Sequence, residues 1–137
     1  MDKRILVATD GTPHSKIAVS YAINLAASAR AELVVAVVNV AMGGARGPLI
    51  YSYSDEDAAK IVHAAAEEAR RAGVKEVSEA VISSREADSG IVQYADEKNV
   101  DHIVVGTGNK HGISRLMLGS VAADITRRAH CTVTVAR

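Results

Sequence analysis

Short apolar runs recur along the chain, and each is followed by a stretch with apolar residues at helical spacing. The runs at residues 5–9, 33–40 and 102–105 are nearly continuous, which is typical of parallel strands buried on both faces. Residues 74–82 alternate less regularly, which predicts a strand nearer a sheet edge, and residues 132–135 alternate as Thr-Val-Thr-Val. The pattern therefore predicts five strands.

Each gap between these strands contains a predicted helix. The first follows Thr12, whose hydroxyl suits an N-cap, and Pro13, whose ring suits the first helical position. Its apolar residues recur every four positions at Ile17, Tyr21 and Leu25, with an alanine after each. This spacing predicts a helix packed on a sheet.

Three further helices complete the alternation. Residues 54–72 begin at a capping Ser54, with acids in the first turn and arginines in the last, as the helix dipole favours. Residues 87–98 form the next helix, and the last begins at Gly119 and Ser120. Since parallel neighbours need helical crossovers, we predict a single α/β domain, residues 1–137, with an open, doubly wound, five-stranded, mainly parallel sheet flanked by helices.

Composition excludes several classes of function. Sixteen basic and sixteen acidic residues give the chain no net positive charge to attract nucleic acid. The four scattered tyrosines offer no surface on which single-stranded bases could stack, so we expect no nucleic-acid partner. No apolar stretch reaches the roughly 18 to 20 residues that span a bilayer, so we expect no membrane insertion. The single Cys131 and an amino terminus unlike a signal peptide predict a cytoplasmic location.

Candidate chemistry lies where the predicted strands end. In open α/β sheets, ligands bind outside the carboxyl ends of the strands where strand order reverses, which indicates the loops after Thr9, Val40 and Val105. Asp10 and Gly11 follow the first strand. Asp10 is a candidate ligand-binding acid, although an Asp in this position also closes turns or caps helices.

A glycine-rich segment, residues 106–112, follows the fourth predicted strand. Its backbone amides can converge on an anion, and the helix beginning at Gly119 and Ser120 presents its positive end. This predicts a phosphate site, with the alternative that the glycines only turn the chain. The segment contains neither a P-loop Gly-Lys-Ser/Thr nor the dinucleotide-binding glycine spacing.

The same segment resembles the nucleotide-binding motif of universal stress proteins, Gly-x2-Gly-x9-Gly-Ser/Thr. The frame in this chain is Gly106-x2-Asn109-x9-Gly119-Ser120. Asn109 stands where the family has its second glycine, and Asn tolerates left-handed backbone angles better than other residues with a side chain. The resemblance also covers residues 5–11 with Ser15, residues 101–106, residues 115–121 and residues 129–133.

The resemblance implies the universal stress protein fold, similar to that of adenine nucleotide alpha hydrolases, and a bound ATP, ADP or AMP with Mg²⁺ at the phosphates. It implies that the Asp10 carboxylate accepts ribose hydroxyls, that the Val40 backbone meets the adenine, and that the glycine frame binds phosphate. The candidate nucleotide-binding residues are Thr9, Asp10, Gly11, Val40, Gly106, Gly108, Asn109, Gly119, Ser120 and Val121.

These observations favour a nucleotide-binding stress-response regulator or sensor that acts on an unidentified protein partner. We expect no catalytic residue, no metal held by protein side chains alone, and at most slow ATP hydrolysis, since no general base is evident. The resemblance also implies a homodimer through the last strand, Thr132 to Val135, whose edge is open to pairing. The alternative is a nucleotide-free dimeric interaction protein of the same fold; an adenylate-forming enzyme is a weaker third, because no substrate domain is visible.

Overall fold

The computed structural model of this protein describes residues 3–107 and 119–137. Strands and helices alternate through these residues, with one additional strand before the second helix. In chain order they are β1 (Arg4–Ala8), α1 (Pro13–Ala29), β2 (Glu32–Gly43), β3 (Leu49–Tyr51), α2 (Asp55–Arg71), β4 (Val77–Ser84), α3 (Ala87–Glu97), β5 (His102–Gly106), α4 (Ser120–Arg128) and β6 (Thr132–Ala136).

Five parallel strands form the sheet in the order β4-β2-β1-β5-β6. At its centre, Val7 of β1 lies in register with Val35 of β2 and Val104 of β5. From β1 the chain proceeds to β2 on one side and returns later to β5 on the other. The predicted α/β class and its five parallel strands are confirmed, and strand order reverses at β1.

A sixth strand, β3, departs from the prediction, which assigned a glycine-rich loop to this part of the chain. β2 extends to Gly43, and β3 pairs antiparallel with its last residues, Met42 opposite Ile50. Gly43 turns the chain with φ 82°, and an added Cβ would lie 2.8 Å from the Pro48 carbonyl oxygen. A three-residue strand is too short to show a period, and its pairing depends on β2, so sequence periodicity could not reveal it.

The core consists of two apolar layers, one on each face of the sheet. α1 and α2 cover one face, and α3 and α4 cover the other. Side chains of β1 alternate between the layers: Ile5 and Val7 join the first, and Leu6 joins the second. None of the helices in residues 3–107 and 119–137 has the length and apolarity needed to cross a membrane.

The buried face of α1 differs from the stripe that the four-residue spacing emphasised. Ile17 and Tyr21 are each 46% exposed, whereas Ala18, Ala22 and Ala26 are at most 1% exposed. The small alanine side chains let the helix approach the strands closely. Val19 and Ile23 are buried with them, whereas Ile17 and Tyr21 point away from the sheet.

The boundaries of the other elements are close to those predicted. Ser54 caps α2, and its hydroxyl accepts a hydrogen bond from the Asp57 amide at 3.1 Å. β4 begins at Val77, three residues later than predicted, because Val74 packs into the core directly after α2. Among the described residues β4 pairs with β2 alone, which confirms its position at the edge.

Candidate functional site

A cavity of about 420 Å³ lies at the carboxyl ends of β1, β2 and β5, where strand order reverses. It is the position at which open α/β sheets bind ligands, and its volume is within the usual range for such sites. The lining residues are Ala8, Thr9, Asp10, Thr12, His14, Ser15, Val38, Val40, Ser52, Tyr53, Ala87, Ile91, Val105, Gly106, Ser120, Val121 and Ala122.

The turn between β1 and α1 holds the Asp10 carboxylate at the cavity. Its Oδ1 accepts hydrogen bonds from the Thr12 amide at 3.0 Å and from the Thr12 hydroxyl at 2.5 Å. Gly11 has φ 79°, a left-handed angle that lets the chain turn between the two residues. The turn and the carboxylate therefore position each other.

Beneath this turn, two buried hydroxyls connect β1 to α1. Thr9 and Ser15 are 6% and 8% exposed, and their hydroxyl oxygens are 3.0 Å apart. The Ser15 hydroxyl donates to the Thr12 carbonyl at 2.9 Å, which leaves the Thr9 hydroxyl to donate to Ser15. The amides of Asp10 and Gly11 donate to Ser15 and Thr9, respectively, so the turn rests on a connected polar network.

Gly106, at the end of β5, allows close contact between this strand and α1. An added Cβ would lie 2.9 Å from the His14 carbonyl oxygen and 3.4 Å from its carbonyl carbon. Because both neighbours are backbone, no side-chain rotation could relieve the clash. A residue without a side chain is therefore required there.

The first turn of α4 also faces the cavity. Gly119 is its N-cap and has no side chain to satisfy the first amides, while its own amide donates to the Thr107 carbonyl at 2.6 Å. Ser120 and Val121, at the first two helical positions, line the cavity with Ala122. The free amides and dipole of a helix start attract anions, so this end of the cavity suits a phosphate.

The chain after β3 forms another part of the cavity wall. The Val40 carbonyl accepts a hydrogen bond from the Ser52 amide at 3.0 Å, which holds Ser52 beside the end of β2. Burial raises the pKa of the neighbouring Tyr53, and the negative charge of Asp10 adds to the effect. The Tyr53 phenol is therefore neutral at physiological pH.

The structure brings six of the ten candidate residues into the cavity lining. Gly11 and Gly119 lie next to the lining and shape its two turns. Gly108 and Asn109 lie outside the described residues. The six lining residues are Thr9, Asp10, Val40, Gly106, Ser120 and Val121.

Sequence reasoning missed the residues that reach the cavity from elsewhere in the chain. Ser52 and Tyr53 follow β3 in the chain, and Ala87 and Ile91 belong to α3. No motif marks them, because their place depends on how β3 and α3 pack. Their contribution to the wall is partly apolar, as is that of Val38 on β2.

Charge in the described part of the lining is sparse. Asp10 is its one carboxylate, and His14 is its one basic side chain. Within residues 3–107 and 119–137, no three His, Cys, Asp or Glu side chains come together as a metal-binding group. The described lining thus combines apolar walls, one carboxylate, several hydroxyls and the starts of three helices.

These features define a class: an α/β protein with a ligand cavity at the switch point of its sheet, suited to an apolar ring with hydroxyl and anionic groups. The amino-acid sequence matches the sequence model of the universal stress protein family over residues 1–137. The chain belongs to the universal stress protein family.

Relatives from distant organisms resemble the whole chain. Universal stress protein MJ0531 of Methanocaldococcus jannaschii is 35% identical, over 98% of this chain and 82% of its own length. Universal stress protein Rv1636 of Mycobacterium tuberculosis is 36% identical, over 97% of this chain and 94% of its own length.

Solved structures of the family share the fold. A universal stress protein in complex with cAMP superposes with a TM-score of 0.78 at 25% identity, over 99% of this chain and 97% of the other. The universal stress protein from Archaeoglobus fulgidus in complex with dAMP superposes with a TM-score of 0.74 at 26% identity, over 98% of each chain.

Proposed function

We propose that this protein binds an adenine nucleotide, ATP in the first instance, in the cavity at the carboxyl ends of β1, β2 and β5. One observation carries the proposal: the carboxylate of Asp10 after β1, Val40 where the pairing of β2 with β4 ends, and Ser120 at the start of α4 all line one cavity. Two structural relatives of similar fold were solved with cAMP and dAMP, which are adenine nucleotides.

The cavity suits the three parts of a nucleotide. The apolar side chains of Val38, Val40 and Ile91 offer surface to the adenine ring, and the Asp10 carboxylate offers an acceptor for ribose hydroxyls. The start of α4 and the closely packed Gly106 suit the phosphates. ADP and AMP would use the same adenine and ribose contacts.

A divalent ion such as Mg²⁺, bound with ATP, would supply positive charge to the phosphates. The described lining contains no Lys or Arg to do so. Gly108 and Asn109 remain proposed phosphate-loop residues. We propose binding rather than rapid turnover, because Asp10, the one carboxylate of the described lining, is engaged by Thr12.

The proposed role is regulatory: occupancy of the cavity changes the surface that a protein partner contacts in the stress response. A homodimer through β6 is part of this proposal. Among the described residues β6 pairs with β5 alone, and Val133 and Val135 are half-buried, so antiparallel pairing of two copies would satisfy the strand edge. The cytoplasmic location stays a prediction. Sedimentation of the purified protein tests the dimer, and a monomer at high concentration would refute it.

The test of nucleotide binding is calorimetric titration of the nucleotide-stripped protein with ATP and Mg²⁺, beside Asp10→Asn. Asn keeps Oδ1 as an acceptor for Thr12 but replaces the second carboxylate oxygen with a donor. A hydrogen bond to a charged acceptor contributes about 1.5–3 kcal/mol, so we expect affinity to fall roughly 10- to 100-fold.

Asp96→Asn is the matched control, since Asp96 pairs with His130 on the surface and does not line the cavity. It should bind ATP as the wild type does. No binding by the wild-type protein at millimolar ATP would refute the proposal and favour the nucleotide-free interaction protein.

A further inference from the structure

We propose that Asn39 of β2 is a positioning residue, which holds one wall of the nucleotide cavity in place before the ligand arrives. This inference rests on the proposed function, because the wall in question, Ser52 and Tyr53, lines the cavity assigned to the nucleotide.

The Asn39 side chain binds both backbone groups of Tyr53. Its Oδ1 accepts a hydrogen bond from the Tyr53 amide at 2.9 Å, and its Nδ2 donates to the Tyr53 carbonyl at 3.0 Å. Asn39 is only 3% exposed. Only one orientation of the side-chain amide satisfies both contacts, so the network itself determines the orientation.

A side chain is needed to bind the Tyr53 backbone because the pairing of β2 with β3 ends before Tyr53. The β2–β3 ladder ends at Ala41 opposite Tyr51, and the Ser52 amide makes one further bond to the Val40 carbonyl. At Asn39 the β2 backbone lies in register with Ser83 of β4 in the parallel sheet. The side-chain amide supplies the donor and the acceptor for Tyr53, in the manner of a further ladder pair.

The contact lies at one end of the cavity. Ser52 and Tyr53 line the cavity beside Val40 of β2, and the charge of Asp10 acts on the Tyr53 phenol, so this wall faces the proposed adenine and ribose positions. Ser54, the N-cap of α2, follows at once, so the contact also sets where that helix begins. Loss of the contact between Asn39 and Tyr53 should therefore lower the affinity for the nucleoside.

The test compares Asn39→Leu with the wild type by titration with ATP and, separately, with adenosine. Leu keeps the number of side-chain heavy atoms and the branch at Cγ but leaves both Tyr53 backbone groups unpaired, so we expect the Kd for each ligand to rise by the same factor, on the order of tenfold. Asn39→Asp, which keeps the acceptor and loses the donor at neutral pH, provides a second variant if the first does not fold.

Val74→Ala is the matched control for a merely structural effect. Val74 is a buried core residue, 5% exposed, that borders the opposite, amino-terminal end of the sheet. Its truncation destabilises the fold without touching the cavity, so its Kd values should stay within about twofold of wild type.

The outcomes separate the two proposals. If the wild type binds ATP and both Asn39 variants bind it as Val74→Ala does, the positioning role is wrong and the proposed function stands. If the wild type binds neither ATP nor adenosine, the proposed function is wrong and the inference is wrong with it. Equal weakening for both ligands, confined to the Asn39 variants, supports the inference.

Discussion

The contact between Gly106 and α1 offers the sharpest test of how the fold builds the cavity. In Gly106→Ala, the new Cβ would lie 2.9 Å from the His14 carbonyl oxygen and 3.7 Å from Ser15 Cα. β5 cannot retreat easily, because Gly106 is in register with Ala136 of β6. α1 is equally constrained, since its first turn is capped by Thr12.

The expected magnitude follows from the steric overlap of the added methyl group with the backbone of α1. Overpacking of a well-packed interior by one methyl group costs about 1–3 kcal/mol. For a domain of this size we expect the melting temperature to fall by roughly 3–12 °C. The strain separates two walls of the cavity, so the affinity for ATP should also fall, on the order of tenfold.

Thermal unfolding followed by circular dichroism measures the first effect, and calorimetric titration measures the second. Gly47→Ala is the matched control, because a Cβ at Gly47 meets no atom within 4 Å. If Gly106→Ala melts and binds as Gly47→Ala does, the close approach of β5 to α1 is not a constraint, and the reasoning fails.

Two further predictions concern interactions outside the cavity. Arg128 Nη1 lies 3.1 Å from the buried Asp88 Oδ2, an ion pair between α4 and α3 that lacks hydrogen-bond geometry. Because Arg128 is half-exposed, Arg128→Gln should cost only about 0.5–1 kcal/mol in urea unfolding. The cost should be smaller when Asp88→Asn is already present, and additive costs would contradict this coupling. Hydrogen bonds from the amides of Arg4 and Lys3 lower the pKa of Asp101 in the folded protein. The Asp101 carboxylate therefore stabilises the fold at pH values above its unfolded pKa of about 4. This contribution to stability is lost as the pH falls through the lower pKa of the folded state. The melting temperature of wild type should therefore exceed that of Asp101→Asn near neutral pH by a small margin that shrinks in acid, whereas a constant margin would show that the carboxylate's charge does not matter.

Much of the fold could be predicted from local patterns, for a physical reason. A strand covered on both faces must be apolar throughout, and a crossover helix must be apolar on one side, so residues 5–9 and 102–105 and the helices between them carry their own signal. Caps such as Thr12 and Ser54 act within one turn of a helix, so they too are visible in sequence.

The errors arose where one segment depends on another. β3 exists because the extended end of β2 offers it a partner, and three residues cannot show a period. The buried face of α1 combines the alanine stripe with Val19 and Ile23, whereas Ile17 and Tyr21, which are also large and apolar, stay half-exposed. Residue size alone does not determine which side of a helix meets the sheet.

In the candidate site, too, some features follow from local sequence and others depend on contacts between distant segments. The sequence by itself indicated that Asp10, Val40 and Gly106 lie near the carboxyl ends of parallel strands, which meet at one edge of the sheet. Only the tertiary structure decided that Tyr53 closes the cavity and that Asn39 holds it there. Those contacts join residues 14 positions apart through a hairpin whose pairing no local pattern encodes.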